Sequence, residues 1–162
     1  MSAVDDYLKN NAEYALTHVG GRPARPASQV AVVACMDSRM RIFPILGLGD
    51  GEAHVIRNAG GVVTDDVVRS LAISQRLLGT REIMLIHHTD CGMQKTTEDK
   101  FKAEVETDTG IRPPWAVETF THAEQDIRQS IGRLKASPFI PHKDAIRGFV
   151  FDVDTGKLNE VL

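Results

Sequence analysis

The sequence has few cysteines, no excess of positive charge and no long apolar run. Each of these features argues against a class of proteins. Only two of the 162 residues are cysteine, which is too few for a disulfide framework. The net charge of −3 gives no electrostatic reason to expect nucleic acid or an anionic membrane as a partner. No apolar run reaches the roughly 18 residues of a membrane span, and the first residues lack the features of a secretory signal. We therefore expect a cytoplasmic protein in which both thiols stay reduced.

The hydrophobic pattern predicts a single α/β domain. Short apolar, β-branched runs predict strands at 29–34, 53–57, 82–88 and 146–153, and amphipathic segments predict helices at 6–18, between Thr64 and Gly79, and at 118–135. Strands that alternate with helices form a mostly parallel central sheet flanked by helices. Glycines and prolines after residue 18 cannot continue the first helix. Within one domain over 1–162, we thus expect an N-terminal helical arm and linker at 1–27 and the core at 28–162.

Both cysteines lie in short segments that directly follow predicted strands. The first segment is Cys35-Met36-Asp37-Ser38-Arg39 and the second is His88-Thr89-Asp90-Cys91-Gly92. Ligands gather beyond the carboxyl ends of parallel strands, so Cys35, His88 and Cys91 can converge if the two strands are neighbours. Two thiolates and one imidazole are one ligand short of a closed structural zinc site, and an open fourth position is typical of a catalytic one.

Two alternatives concern the identity of these ligands. His87 is a rival to His88, but successive strand residues point to opposite faces, so only one of them can face the ion, and we favour His88. Free cysteine is among the most buried residue types, so Cys35 and Cys91 could instead be two inert core thiols. Their occurrence together with a histidine and a nearby charged pair favours the metal site.

Asp37 and Arg39 form that charged pair. Asp37 could take the fourth coordination position, or it could pair with the guanidinium fork of Arg39 and leave that position to water. An ordinary surface ion pair at this place would contribute little. If Asp37 were a permanent ligand, the site would be closed, so a non-catalytic, structural zinc protein is one alternative function.

The two segments, with Arg57-Asn58-Ala59-Gly60 between them, resemble the motifs of the β-class carbonic anhydrases. The resemblance covers most of the chain from residue 29 to the strand at 146–153. It implies reversible hydration of carbon dioxide to bicarbonate and a proton. It also implies a homodimer or a tetramer of dimers in which the N-terminal helix embraces the partner subunit. The site residues that it implies are Cys35, His88 and Cys91 as zinc ligands and Asp37 and Arg39 as catalytic residues.

The resemblance leaves the substrate open between two small molecules. The compact branch of the family, which this chain is similar to, also includes carbonyl sulfide hydrolases with the same zinc ligands. We place hydration of carbon dioxide first and hydrolysis of carbonyl sulfide second. The distinction must come from the size and polarity of the pocket, which the loop at 95–115 is expected to shape. The backbone N–H of Gly92 is a candidate to hold a substrate or product oxygen.

Overall fold

The computed structural model describes residues 2–162, which form one five-stranded sheet with helices around it. The strands are β1 (Val30–Cys35), β2 (Ala53–Asn58), β3 (Glu82–His88), β4 (Ile146–Phe151) and β5 (Leu158–Val161). The helices are α1 (Ala3–Ala15), α2 (Ile42–Leu46), α3 (Asp65–Leu78), α4 (Glu98–Thr109) and α5 (Ala123–Ala136), with short 3-10 turns at Ala59–Gly61 and Gly92–Gln94. The strand order is β2–β1–β3–β4–β5, and only β5 runs antiparallel to its neighbour. This confirms the predicted mostly parallel α/β fold.

The inner strand β1 is buried on both faces, which explains why its sequence is apolar without alternation. It lies between β2 and β3, and Ala31 to Cys35 are all buried. Ala31 and Val33 pack into a cluster with side chains of α3 and α5, whereas Val32 and Ala34 pack into a second cluster on the other face. A strand covered on both faces has no solvent side on which polar residues would be favoured.

Helix α3 begins and ends where the sequence predicts. The hydroxyl of Thr64 accepts a hydrogen bond from the N–H of Val67 at 3.3 Å, which satisfies one of the free donors of the first turn. Gly79 ends the helix with a φ of +75°, a conformation that glycine adopts without steric cost. Leu71 is fully buried against the sheet. The position of α3 thus follows from local capping and from one apolar face.

Two helices begin at other residues than predicted. Helix α5 begins at Ala123 rather than at residue 118, because Glu118 has a φ of +60°, which no helical residue adopts. Helix α1 begins earlier, at Ala3. The Ser2 hydroxyl accepts from the N–H of Asp5, and the Asp5 carboxylate accepts from the N–H of Ser2. This reciprocal capping box fixes the start of the helix.

Helix α1 contacts little of the remaining chain. None of its residues is buried in the described part of the chain, and apolar Val4, Tyr7 and Leu8 are each more than half exposed. The division into an arm at 1–27 and a core at 28–162 stays a prediction. Among residues 2–162, no helix combines the length and apolar character that crossing a membrane requires.

Candidate metal centre

The centre forms where β1 and β3 end side by side. Cys35 is the last residue of β1 and His88 the last residue of β3, and the two strands are parallel neighbours. Cys91 follows three residues after His88. The ligand atoms of these three buried residues all lie within 4.8 Å of one another. The parallel sheet therefore brings together two sulfurs and one imidazole that are far apart in the sequence.

The imidazole of His88 is oriented for a metal ion. Its Nδ1 lies 2.8 Å from the carbonyl oxygen of Thr89, and a carbonyl can only accept, so Nδ1 carries the proton. In the neutral ring Nε2 then holds a lone pair, and this buried atom has no hydrogen-bond partner within residues 2–162. Metal-ligating histidines commonly donate their other N–H to a carbonyl in this way. The geometry of His88 fits a metal ligand.

The two thiols share a hydrogen bond that shifts their pKa values in opposite directions. Donation from Cys91 lowers the pKa of Cys35, against the opposing effect of burial. The same hydrogen bond, together with burial, raises the pKa of Cys91. The surroundings thus favour ionisation of Cys35 over that of Cys91. Two cysteines and one histidine are a ligand set that zinc accepts, so the residues present fit this ion.

Asp37 is bound to Arg39 and lies beside the three ligand atoms. Its Oδ2 accepts from Nη2 of Arg39 at 2.7 Å, and its Oδ1 accepts from Nε at 3.0 Å. These hydrogen bonds hold the pKa of the Asp37 carboxyl far below its usual range. The same Oδ2 is 3.7 Å from Nε2 of His88. Asp37 therefore stays ionised and paired with Arg39 while it remains next to the cluster.

Arg57 and Gly61 hold the backbone of the centre and were not singled out for this role in the sequence. The Arg57 guanidinium donates twice to the carbonyl of Cys35, at 2.9 and 2.8 Å, and once to the carbonyl of Asp37 at 2.8 Å. Gly61 has a φ of +68° and lies against the backbone of β1 and β3. Both contacts are between separate strands and turns, so local sequence patterns do not reveal them.

His87 lies away from the cluster. It is fully buried, its Nε2 is 2.7 Å from Oδ2 of Asp126 on α5, and its ring stacks on Phe120 at 4.8 Å between centroids. The structure thus places His88, and not its neighbour, with the two cysteines. It also places the predicted residue Gly92 directly after Cys91, at the start of a 3-10 turn.

An apolar cavity of about 540 Å³ is lined in part by Met36 and Gly92, the chain neighbours of Cys35 and Cys91. Phe101 and Trp115 contribute large aromatic surfaces to its wall. The remaining lining residues are Asn58, Ala59, Val62, Thr64, Met93, Thr96, Ala116 and Val117. Part of the wall comes from the segment at 95–115, which the sequence predicts to shape the pocket. The cavity suits a small apolar molecule.

Comparisons with known proteins agree with this geometry. The sequence profile described as carbonic anhydrase matches residues 30–116. Beta-carbonic anhydrase 1 of Mycobacterium tuberculosis is 58% identical over 161 residues, which cover 99% of either chain. The crystal structure of carbonic anhydrase from Streptococcus mutans superposes with a TM-score of 0.94 at 45% identity and covers 100% of this chain and 99% of that one. A carbon disulfide hydrolase of Acidianus is 32% identical over 182 residues, covering 97% of this chain and 88% of the relative.

Proposed function

This chain belongs to the β-carbonic anhydrase family, and from that premise we propose that it hydrates carbon dioxide reversibly to bicarbonate and a proton at the centre described above. The observation that carries the proposal is the cluster of Cys35, His88 and Cys91, whose ligand atoms lie within 4.8 Å of one another beside the Asp37–Arg39 pair. Three protein ligands and one open position are typical of a catalytic zinc site. Membership in a family of enzymes favours this function over that of a structural zinc protein.

Each residue of the centre has a distinct role in this proposal. Cys35, His88 and Cys91 would hold zinc, which when bound would lower the pKa of a water molecule and so supply a nucleophile. The carboxylate of Asp37 accepts a hydrogen bond from the attacking water and orients it. The backbone N–H of Gly92 donates to a substrate or product oxygen. The apolar wall of the cavity admits carbon dioxide, which has no net charge or dipole.

Arg39 decides which of two positions Asp37 occupies. Because Oδ2 of Asp37 is close to both Arg39 and His88, a short movement of the carboxylate would bring it to the fourth ligand position. In that closed state Asp37 would exclude the attacking water. The two charge-assisted hydrogen bonds from Arg39 favour the open state, since they are lost when the carboxylate turns away.

Arg39→Ala is therefore expected to trap the closed state. We expect kcat/KM for carbon dioxide hydration to fall by about 10- to 100-fold, the range seen when groups that support metal ligands are removed. Stopped-flow hydration assays at equal zinc content measure this effect. Near-normal turnover in the variant would contradict the role assigned to Arg39.

Carbonyl sulfide is the alternative substrate. Its carbon is open to the same attack, and the predominantly apolar wall of the cavity would accommodate a sulfur atom. The higher identity to a beta-carbonic anhydrase than to a carbon disulfide hydrolase supports carbon dioxide as the main substrate. We propose that the size and polarity of the pocket, rather than the ligand set, decide between the two substrates.

One preparation of the zinc-loaded protein can rank the two substrates. We expect kcat/KM for carbon dioxide hydration to exceed kcat/KM for hydrogen sulfide release from carbonyl sulfide by at least about tenfold, a factor that pocket shape alone can supply. The two rates are measured by stopped-flow pH change and by sulfide detection. A faster release of sulfide would reverse the order, and zinc at one ion per chain without turnover of either substrate would favour a structural site.

We further propose a homodimer, or a tetramer of dimers, in the cytoplasm. Helix α1 presents Val4, Tyr7 and Leu8 to solvent, and an amphipathic helix usually buries its apolar face, so a second subunit is the proposed cover. The thiols of Cys35 and Cys91 must remain reduced in order to bind zinc, which supports a reducing compartment. Sedimentation velocity measures the assembly directly.

A further inference from the structure

Asp90 is a charged residue of the centre that the proposed mechanism leaves without a role. It lies between His88 and Cys91 and has a φ of +56°, a left-handed conformation that is uncommon outside glycine. Its carboxylate Oδ2 accepts from Nη1 of Arg39 at 2.9 Å, and its carbonyl oxygen accepts from Nη2 of Arg39 at 3.1 Å. The unusual backbone conformation thus accompanies two hydrogen bonds to one guanidinium group.

Arg39 is consequently held from two sides. One edge of its guanidinium donates to Asp37 through Nε and Nη2, and the other donates to Asp90 through Nη1 and Nη2. The guanidinium is planar and rigid, so fixing one edge also fixes the direction of the other. Its side chain is 44% exposed and would otherwise be free to turn toward water.

Lys95 supports Asp90 from the opposite side. Its Nζ lies 2.6 Å from Oδ1 of Asp90. The two oxygens of the Asp90 carboxylate are thus divided between two cations, with Oδ1 at Lys95 and Oδ2 at Arg39. Asp37, Arg39, Asp90 and Lys95 form a continuous chain of alternating charges along the edge of the centre.

We propose that Asp90 is a positioning residue that holds Arg39 in place and thereby keeps Asp37 paired with Arg39 rather than among the ligand atoms of Cys35, His88 and Cys91. This role rests on the proposed function, because it concerns the open state of that same centre. Without Asp90, the guanidinium gains freedom, its bonds to Asp37 weaken, and the carboxylate that lies 3.7 Å from His88 competes for the fourth position.

The variant that tests this role is Asp90→Gly, because glycine removes the carboxylate and keeps the positive φ without strain. In the cobalt-substituted protein, the visible absorption spectrum reports azide binding at the metal, and azide must compete with Asp37 for the open position. We expect azide affinity and kcat/KM to fall by about three- to tenfold, since the Arg39–Asp90 pair is partly exposed and its contribution is modest. Asp90→Asn keeps an oxygen for Arg39 and is expected to bind azide more tightly than Asp90→Gly.

A double-variant comparison shows whether Asp90 acts through Arg39. In an Arg39→Ala background, Asp90→Gly should cause no further loss of azide affinity, because the residue on which it acts is already absent. Asp65→Asn is the matched control. It breaks an ion pair between an exposed aspartate and Arg133, two residues that are distant in sequence from those of the centre. This variant should leave azide affinity unchanged.

The inference is overturned if Asp90→Gly binds azide as tightly as the native protein, if Asp90→Asn is weaker than Asp90→Gly, or if the loss is equally large with and without Arg39. Its failure is distinguishable from failure of the proposed function. A native protein that does not hydrate carbon dioxide would contradict the proposed function, whereas the azide comparison requires only a bound ion and still decides the role of Asp90.

Discussion

Replacing His88 with alanine is expected to remove zinc from the protein and to lower kcat/KM for carbon dioxide hydration by more than about 100-fold, because loss of groups that merely support a ligand already costs up to that factor. Among residues 2–162, His88 is the one histidine in the cluster with Cys35 and Cys91, so its removal leaves two protein ligands. Metal analysis by mass spectrometry and a hydration assay on the same sample measure both effects.

His87→Ala is the matched control for this substitution. His87 is as buried as His88 and adjacent to it, but it binds Asp126 and stacks on Phe120. We expect this variant to unfold at a lower temperature and to keep one zinc per chain in its folded fraction. If His87→Ala lost zinc and His88→Ala kept both zinc and turnover, the ligand assignment would be wrong.

Gly61→Ala is expected to lower the free energy of unfolding by about 3 to 5 kcal/mol, the combined cost of overpacking and of a strained backbone. A β-carbon at this position would lie 2.7 Å from the backbone N of Cys35 and 3.0 Å from the carbonyl oxygen of Ile86. Backbone atoms of the two central strands cannot give way as a flexible side chain can. Urea denaturation measures the loss, and zinc content should fall with it.

Gly110→Ala separates the two causes of this effect. Gly110 has a φ of +76°, and no heavy atom beyond its chain neighbours in the described residues lies within 4 Å of the position of an added β-carbon. The substitution should therefore cost only the strain of the left-handed conformation, about 1 to 2 kcal/mol. Equal losses at both positions would contradict the claim that the close contact of Gly61 with the backbone of β1 and β3 excludes a side chain.

The sequence predicted the site best where a candidate metal ligand lies at the end of a predicted strand. The run before Cys35 and the run before His88 each predict a buried strand, and parallel strands that end together place both residues at one edge of the sheet. The sequence did not predict that β1 and β3 are neighbours, because strand order depends on packing between segments that are far apart in the chain. The structure supplies that adjacency.

What the sequence did not reveal depends on contacts between distant segments. Asp90 meets Arg39 across 51 positions of the chain, and nothing in the local pattern of either residue indicates the pair. The late start of α5 is a similar case. Residues 118–122 have a composition compatible with a helix, yet the buried ring of Phe120 stacks on His87, and tertiary packing overrides local preference.

The parallel pairing of β1 and β3 has a thermodynamic consequence for metal binding. Backbone hydrogen bonds within the sheet fix the separation of Cys35 and His88, so most of the conformational entropy of assembling two of the three ligands is lost during folding rather than during binding. Cys91 follows three residues after His88, and its sulfur already lies within 4.8 Å of the other two ligand atoms. The centre is thus preorganised. Because folding of the sheet already includes part of the entropic cost of assembling the ligands, that part does not weaken metal binding.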